Sequence, residues 1–306
     1  MILTEIKMPA EPKNKPMAFH LCRMKVSELL PVAGHAADLP PTLVIPPGRY
    51  RVHGKSYALK RQGLYRFLFP GHGNQQRIVY QDDVPSLLSA ICWICSHGSR
   101  DNKKSHQELC GIAMAEKLIV TCGDLSQFAL ELFAGLGLPS RRVGSTTLQA
   151  LNTYDNGHQT LEVWLDGRWT LVDLDMKRMF HRRGKRLNLP EFCAAAATGD
   201  FSFEPISAAT PLAVGLFKVQ GYDYGLWMET AYSNDAALRA WYQRVMMVPI
   251  QINQDSCFTV FAPGDRRRFE RLYPNRGHRF LSPEEFYQKF YSQPPVDLEQ
   301  GKPARR

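Results

Sequence analysis

Cys122, His158 and two aspartates, Asp173 and Asp175, are the residues of this chain whose types and spacing could do chemistry. A thiol, an imidazole and a carboxylate are the parts of a nucleophilic acyl-transfer site. The sulfur attacks a carbonyl, the imidazole moves the proton, and the carboxylate holds the imidazole in one tautomer. Such chemistry needs the thiol where negative charge is stabilised, and the other side chains on one shared surface.

The elements around these residues meet both demands. Thr121-Cys122-Gly123-Asp124 fits a capping box, with Thr121 as N-cap and Asp124 three positions on. Val120 and Leu125 take the staple positions that flank such a start. Leu125, Phe128, Ala129, Leu132, Phe133 and Leu136 then repeat at the spacing of one buried helix face, and Gly137 and Pro139 end it. Cys122 is therefore expected at the first helical position. Most cysteines are small buried hydrophobes, but at a helix start the unbonded amides and the positive end of the helix dipole stabilise a thiolate. The backbone N–H groups of Cys122 and Gly123 can stabilise an oxyanion in the same place.

The second element is a hairpin. His158 to Leu165 and Arg168 to Asp175 are β-rich runs joined by Asp166-Gly167, a signal for a tight two-residue turn. That turn places Trp164 opposite Trp169, Thr160 opposite Asp173 and His158 opposite Asp175. Alternation then puts His158, Thr160, Glu162, Trp164, Trp169, Leu171, Asp173 and Asp175 on one face. Register alone leaves both Asp173, a diagonal neighbour, and Asp175, directly opposite, as partners for His158.

These segments resemble the core of the transglutaminase-like superfamily of papain-type thiol enzymes. The resemblance rests on three blocks: Cys122 with its small apolar helix leading into Gly137-Leu138-Pro139-Ser140-Arg141-Arg142-Val143; His158-Gln159-Thr160-Leu161-Glu162-Val163-Trp164-Leu165-Asp166-Gly167-Arg168-Trp169; and Trp169-Thr170-Leu171-Val172-Asp173. It implies an α+β fold, a papain-like transglutaminase core with the nucleophile helix packed on an antiparallel sheet. It also implies Cys122 as nucleophile, His158 as general base and acid, and Asp173 as the carboxylate that orients it. Gln159 replaces the family's usual alanine, and Leu174-Asp175 stands where proline is frequent. These departures leave the substrate open. A member that kept the fold and lost the reaction, acting as a binding or scaffold protein, is the alternative.

Length and composition frame this core. A chain of 306 residues with 44% hydrophobic side chains can bury a substantial core. Residues 1–83 read as a Pro-rich and β-rich N-terminal region and 84–200 as the catalytic core. Residues 201–292 read as a C-terminal α/β elaboration and 293–306 as a disordered tail. Helices are expected near 84–97 and 106–118, from Asn234 to Met246, and after the Ser282-Pro283-Glu284-Glu285 capping box. No apolar run is long enough to span a bilayer, Met1 to Lys15 lacks a signal core, and seven cysteines fit a reducing compartment. The expectation is a cytoplasmic protein without a membrane partner.

Cys92 and Cys95 lack the second pair that zinc normally wants, so they read as helix packing residues, and no metal or cofactor is expected. The net charge of +9 includes a basic run from Lys177 to Arg186. Such runs are commonly solvated surface. Their closeness in sequence to Asp173 makes Arg182, Arg183 and Arg186 candidates for an anionic part of the acyl donor or acceptor, with Trp169 as a further candidate contact. No nucleic-acid recognition motif accompanies the charge.

Overall fold

The computed structural model describes residues 95–115, 118–152, 156–206, 235–253, 256–261, 264–274 and 277–295, with shorter pieces between 30 and 92 and at 218–223. The expectations for residues 65–83 and for the tail beyond 295 lie outside the described residues. The chain divides into two compact units, Met1–Val120 with Ile206–Thr210, and Thr121–Pro205 with Pro211–Arg306.

In the first unit, β1 (Leu30–Pro31), β2 (Ala37–Asp38), β4 (Gly48–Val52) and β5 (Lys55–Leu59) form a sheet of order β1-β5-β4-β2, while β3 (Val44–Ile45) pairs with β6 (Gly63–Leu64). Val84, Leu87, Leu88, Ile91 and Cys92 are helical, as their spacing predicts. Cys95–His97 departs from that expectation. It forms strand β7, parallel to β8 (Leu118–Val120), with α1 (His106–Ala115) between them in sequence. All three β8 residues are buried. Pairing two buried backbones overrides the helical spacing that Cys95 fits, because unpaired buried amides cost more than propensity returns.

The second unit is built on a nine-stranded sheet of order β13-β12-β11-β10-β9-β17-β18-β19, with β14 pairing to β12. Its strands are β9 (Ser140–Thr146), β10 (Gly157–Leu165), β11 (Arg168–Asp173), β12 (Arg178–Arg182), β13 (Lys185–Arg186), β14 (Ser202–Pro205), β17 (Val248–Asn253), β18 (Ser256–Val260) and β19 (His278–Leu281). A separate two-residue pair, β15 (Lys218–Val219) and β16 (Tyr222–Asp223), completes the described strands. The sheet is mixed rather than antiparallel throughout: β18 and β19 run parallel. The link between them contains helix α5 (Asp265–Leu272), a crossover that antiparallel neighbours do not need.

Besides the helical residues between 84 and 92, six helices have described bounds: α1, α2 (Cys122–Gly135), α3 (Leu189–Thr198), α4 (Asp235–Val245), α5 and α6 (Pro283–Phe290). The α+β class follows. Helix α2 packs on β9 and β10 and buries Leu125, Phe128, Ala129, Leu132 and Phe133. Gly137, at φ 68°, closes it: the amides of Gly137 and Leu138 donate to Ala134 and Phe133. A second apolar cluster joins Val143, Leu171 and Phe180 of the sheet to Leu189 and Phe192 of α3 and to Leu238, Trp241 and Tyr242 of α4. Phe180 stacks on Phe192 at 3.9 Å between centroids, and the Tyr242 ring meets both edge-on. Each such side chain contributes about 1.5–3 kcal/mol through burial, which anchors α4 against the strands that carry the candidate site. No described helix is long and apolar enough to cross a membrane.

Candidate active site

Cys122 is the first residue of α2, behind an extended Thr121. The expected cap is made differently. Thr121 Oγ1 does not accept from the helix amides; it donates to Asp124 Oδ2 at 3.1 Å. The helix start is instead braced by Leu125 N–H to Thr121 O and by the Ser126 hydroxyl on Cys122 O at 2.7 Å. Cys122 itself is half-buried. Gly123 makes room for a side chain that the sequence did not point to: a Cβ there would lie 3.1 Å from Gln159 Oε1.

His158 enters from β10. The hairpin turn is type I′ in character, with Asp166 and Gly167 both at positive φ, 51° and 77°. The register pairs Leu165 with Arg168, Trp164 with Trp169, and so on to Leu161 with Val172. Beyond that point β11 turns away into β12, whose Arg178 pairs with Asp173. The Asp173 carboxylate stabilises this turn, because its Oδ1 accepts from the amides of Asp175 and Met176 at 3.1 and 2.9 Å. Its Oδ2 lies 2.7 Å from His158 Nε2 and accepts the Tyr242 hydroxyl at 2.7 Å. On the other side of His158, β9 and β10 approach so closely that a Cβ on Gly157 would sit 2.5 Å from Ser145 O.

His158, Asp173 and Tyr242 are almost wholly shielded from solvent. The Trp241 ring meets the imidazole edge-on at 4.9 Å. Burial by itself would lower the His158 pKa; the Asp173 carboxylate and the Cys122 sulfur, through charge and hydrogen bonding, more than reverse this and hold it well above its ordinary value. Donor atoms of Cys122, His158 and Asp175 all lie within 4.8 Å of one another. The imidazole is thus flanked by Asp173 on one nitrogen, with the thiol and Asp175 close by. This arrangement puts a base beside the sulfur, where it can take the proton that a cysteine loses when it acts as a nucleophile.

The remaining candidate residues lie elsewhere. Trp169 is buried beneath the Arg141 guanidinium, 4.1 Å from its ring centroid. Arg182 pairs with Asp200 at 2.6 Å, and Arg186 with Asp166 at 3.0 Å and Glu204 at 3.4 Å. Arg183 sits exposed in the β12–β13 turn at φ 52°. Tyr242 and Trp241 have no local sequence signal, since Tyr242 stands 69 positions from Asp173. Helix α3 does have one: Asn188 and Glu191 form a reciprocal capping box, with Pro in the first turn.

No family model matches this chain, and no curated protein does. A solved structure described as "Crystal structure of a TGase" is similar at 20% identity and a TM-score of 0.20, over 29% of this chain and 24% of that one. The match therefore spans about a quarter of that protein's length.

Proposed function

We propose that this protein is a transglutaminase-like thiol enzyme that transfers acyl groups through a Cys122 acyl-enzyme. The observation that carries the reading is the buried His158, held by Asp173 at 2.7 Å with the Cys122 sulfur within 4.8 Å of its ring nitrogen. Cys122 Sγ attacks the carbonyl carbon of an amide, ester or thioester, forming a C–S bond and a tetrahedral oxyanion. The amides of Cys122 and Gly123, at the start of α2, are the donors assigned to that charge. Collapse breaks the bond to the leaving group, which takes its proton from His158. The second nucleophile then gives a proton to His158, attacks the thioester carbon and releases Cys122 as thiolate. Water makes the enzyme a protease or amidase; an amine makes it an amide-forming acyltransferase. Asp173, oriented by Tyr242 and two amides, keeps His158 in the tautomer both steps need.

The test is the mass of the Cys122 peptide after exposure to activated esters, thioesters and glutamine-containing peptides. The expected result is an acyl increment on Cys122 that is absent from the folded Cys122→Ala variant. Alkylation of Cys122 by iodoacetamide at the rate of an ordinary thiol, with no adduct from any donor, would leave the chain a catalytically silent binding protein.

A further inference from the structure

Asp175 has no part in the acyl-transfer steps above, yet its carboxylate stands beside the thiol and the imidazole. Donor atoms of Cys122, His158 and Asp175 lie mutually within 4.8 Å. His158 and Asp175 are buried, whereas Cys122 is half-exposed and marks the side from which an ion would enter. His158 uses Nε2 to meet Asp173, so Nδ1 is the nitrogen available to this cluster. A histidine that binds a metal through one nitrogen typically has its other nitrogen on a carboxylate, which fixes the ring. Asp173 occupies that position here, and is itself held by Tyr242 and by the amides of Asp175 and Met176.

We propose that Cys122 Sγ, His158 Nδ1 and the Asp175 carboxylate form a three-ligand site for a zinc-class divalent ion that reversibly silences the nucleophile. The inference rests on the thiol-enzyme reading for its regulatory meaning. The donor set selects the ion. Thiolate and imidazole favour borderline and soft metals, whereas calcium and magnesium require oxygen ligands throughout. Zinc bond lengths imply tetrahedral donor separations of roughly 3.3–3.6 Å. A donor pair standing at the full 4.8 Å therefore has to close by roughly 1.2–1.5 Å, within reach of side-chain rotation at Cys122 and Asp175. Three protein ligands leave a fourth position for water. Binding takes a lone pair each from the sulfur and from Nδ1, and the proton that stood between them passes to solvent. With both occupied, Cys122 cannot attack and His158 cannot carry a proton.

The experiment uses the full chain in chelator-stripped buffer. Zinc affinity is measured by competition with a chromogenic chelator, and cobalt loading is followed by its sulfur-to-metal charge-transfer absorption. Cys122 alkylation by iodoacetamide is timed with and without zinc. One equivalent of zinc should bind, cobalt should give the thiolate band, and zinc should protect Cys122, whereas magnesium and calcium should do neither. Asp175→Asn, checked for an unchanged melting profile, should weaken zinc by at least about 100-fold, and Asp173→Asn by about 10- to 100-fold through the imidazole.

X-ray absorption of the zinc-loaded wild type should show one sulfur with imidazole and oxygen neighbours, a reading that needs no variant. Equal zinc affinity in wild type and Asp175→Asn, or more than one sulfur on the metal, overturns the site. Fast Cys122 alkylation without zinc protection also overturns the site and keeps the thiol enzyme. One bound zinc on a thiol of ordinary reactivity supports the site and removes the thiol enzyme.

Discussion

Two buried carboxylates on adjacent strands of the same sheet, Glu162 and Asp173, are built from nearly the same parts. Glu162 accepts from the amide of Leu189, from the Tyr291 hydroxyl at 3.0 Å, from Gln251, and from Arg141 Nε at 2.8 Å. Asp173 accepts from two amides, from the Tyr242 hydroxyl and from His158. Each therefore has at least one backbone amide, a tyrosine and a nitrogenous side chain. The difference is that side chain. A guanidinium is charged at every accessible pH, so Arg141 is a fixed cation in the Glu162 network, which ties β10 to α3, to β17 and to the chain after α6. Arg141 adds to this by stacking on Trp169 and Tyr291 and by donating to Phe290 O at 2.6 Å. An imidazole exchanges protons and stands beside a thiol, so the Asp173 network can change state during a reaction. Similar hydrogen-bond inventories thus tie elements together in one place and, on the proposed function, orient a proton carrier in the other.

The largest effect that would break this comparison is kinetic. Asp173→Asn should lower the rate of adduct formation on Cys122 by roughly 10,000-fold, because the amide holds His158 in the wrong tautomer. Asp175→Asn should cost much less, since Asp175 lies on the thiol side of the ring. Equal losses measured by intact mass would transfer the orienting role to Asp175.

Glu162→Gln should show the opposite profile. It leaves Arg141 without its counter-charge and should destabilise the protein by about 3 kcal/mol, a melting shift of roughly 6–12 °C. The rate per folded molecule should stay within about threefold of wild type, since one good hydrogen bond's worth of coupling would be larger. A collapse in rate at unchanged melting temperature would show that the two networks are not separable.

Tyr242→Phe sharpens the comparison at a finer scale. It removes one donor from Asp173 and keeps the ring that packs on Phe180 and Phe192. A hydrogen bond to a charged group is worth about 1.5–3 kcal/mol. We expect turnover to fall roughly tenfold or more with KM little changed, the mark of a group that acts through His158. A change in KM alone would contradict that role.

The smallest effect is expected at the β12–β13 hairpin. Its cations are largely engaged with surface acids, and exposed pairs are worth about 0–1 kcal/mol each. If the segment recognises an anionic part of the substrate, replacing Arg182, Arg183 and Arg186 with Ala should raise KM severalfold and flatten its salt dependence at constant turnover. An unchanged KM across salt would return these residues to surface pairing.

Much of the site is legible in sequence because its elements are local. The start of α2 at Cys122, its buried face and its Gly137 stop follow from periodicity and punctuation within sixteen positions. The His158 strand and its Asp166-Gly167 turn likewise follow from alternation and turn chemistry. Local rules also overreach. Cys95 fits a helical spacing and lies in a strand, because a buried parallel partner outweighs propensity. Thr121 has the residue type of an N-cap, yet its hydroxyl turns to Asp124.

What the sequence determined by itself is the chemical inventory and where each piece begins: a thiol at a helix start, an imidazole on one strand, and two carboxylates at the end of the next strand and just past it. Only the tertiary structure decided which carboxylate meets the imidazole. The β11–β12 turn, folded around the Asp173 side chain, bends the chain before hairpin register can carry Asp175 opposite His158. Only the tertiary structure brought Tyr242 and Trp241 of α4 to the same point. Helix starts and hairpin turns are set by hydrogen bonds between near neighbours, which short-range patterns encode. Contacts across tens of residues depend on how whole faces pack, and no single stretch of sequence contains them.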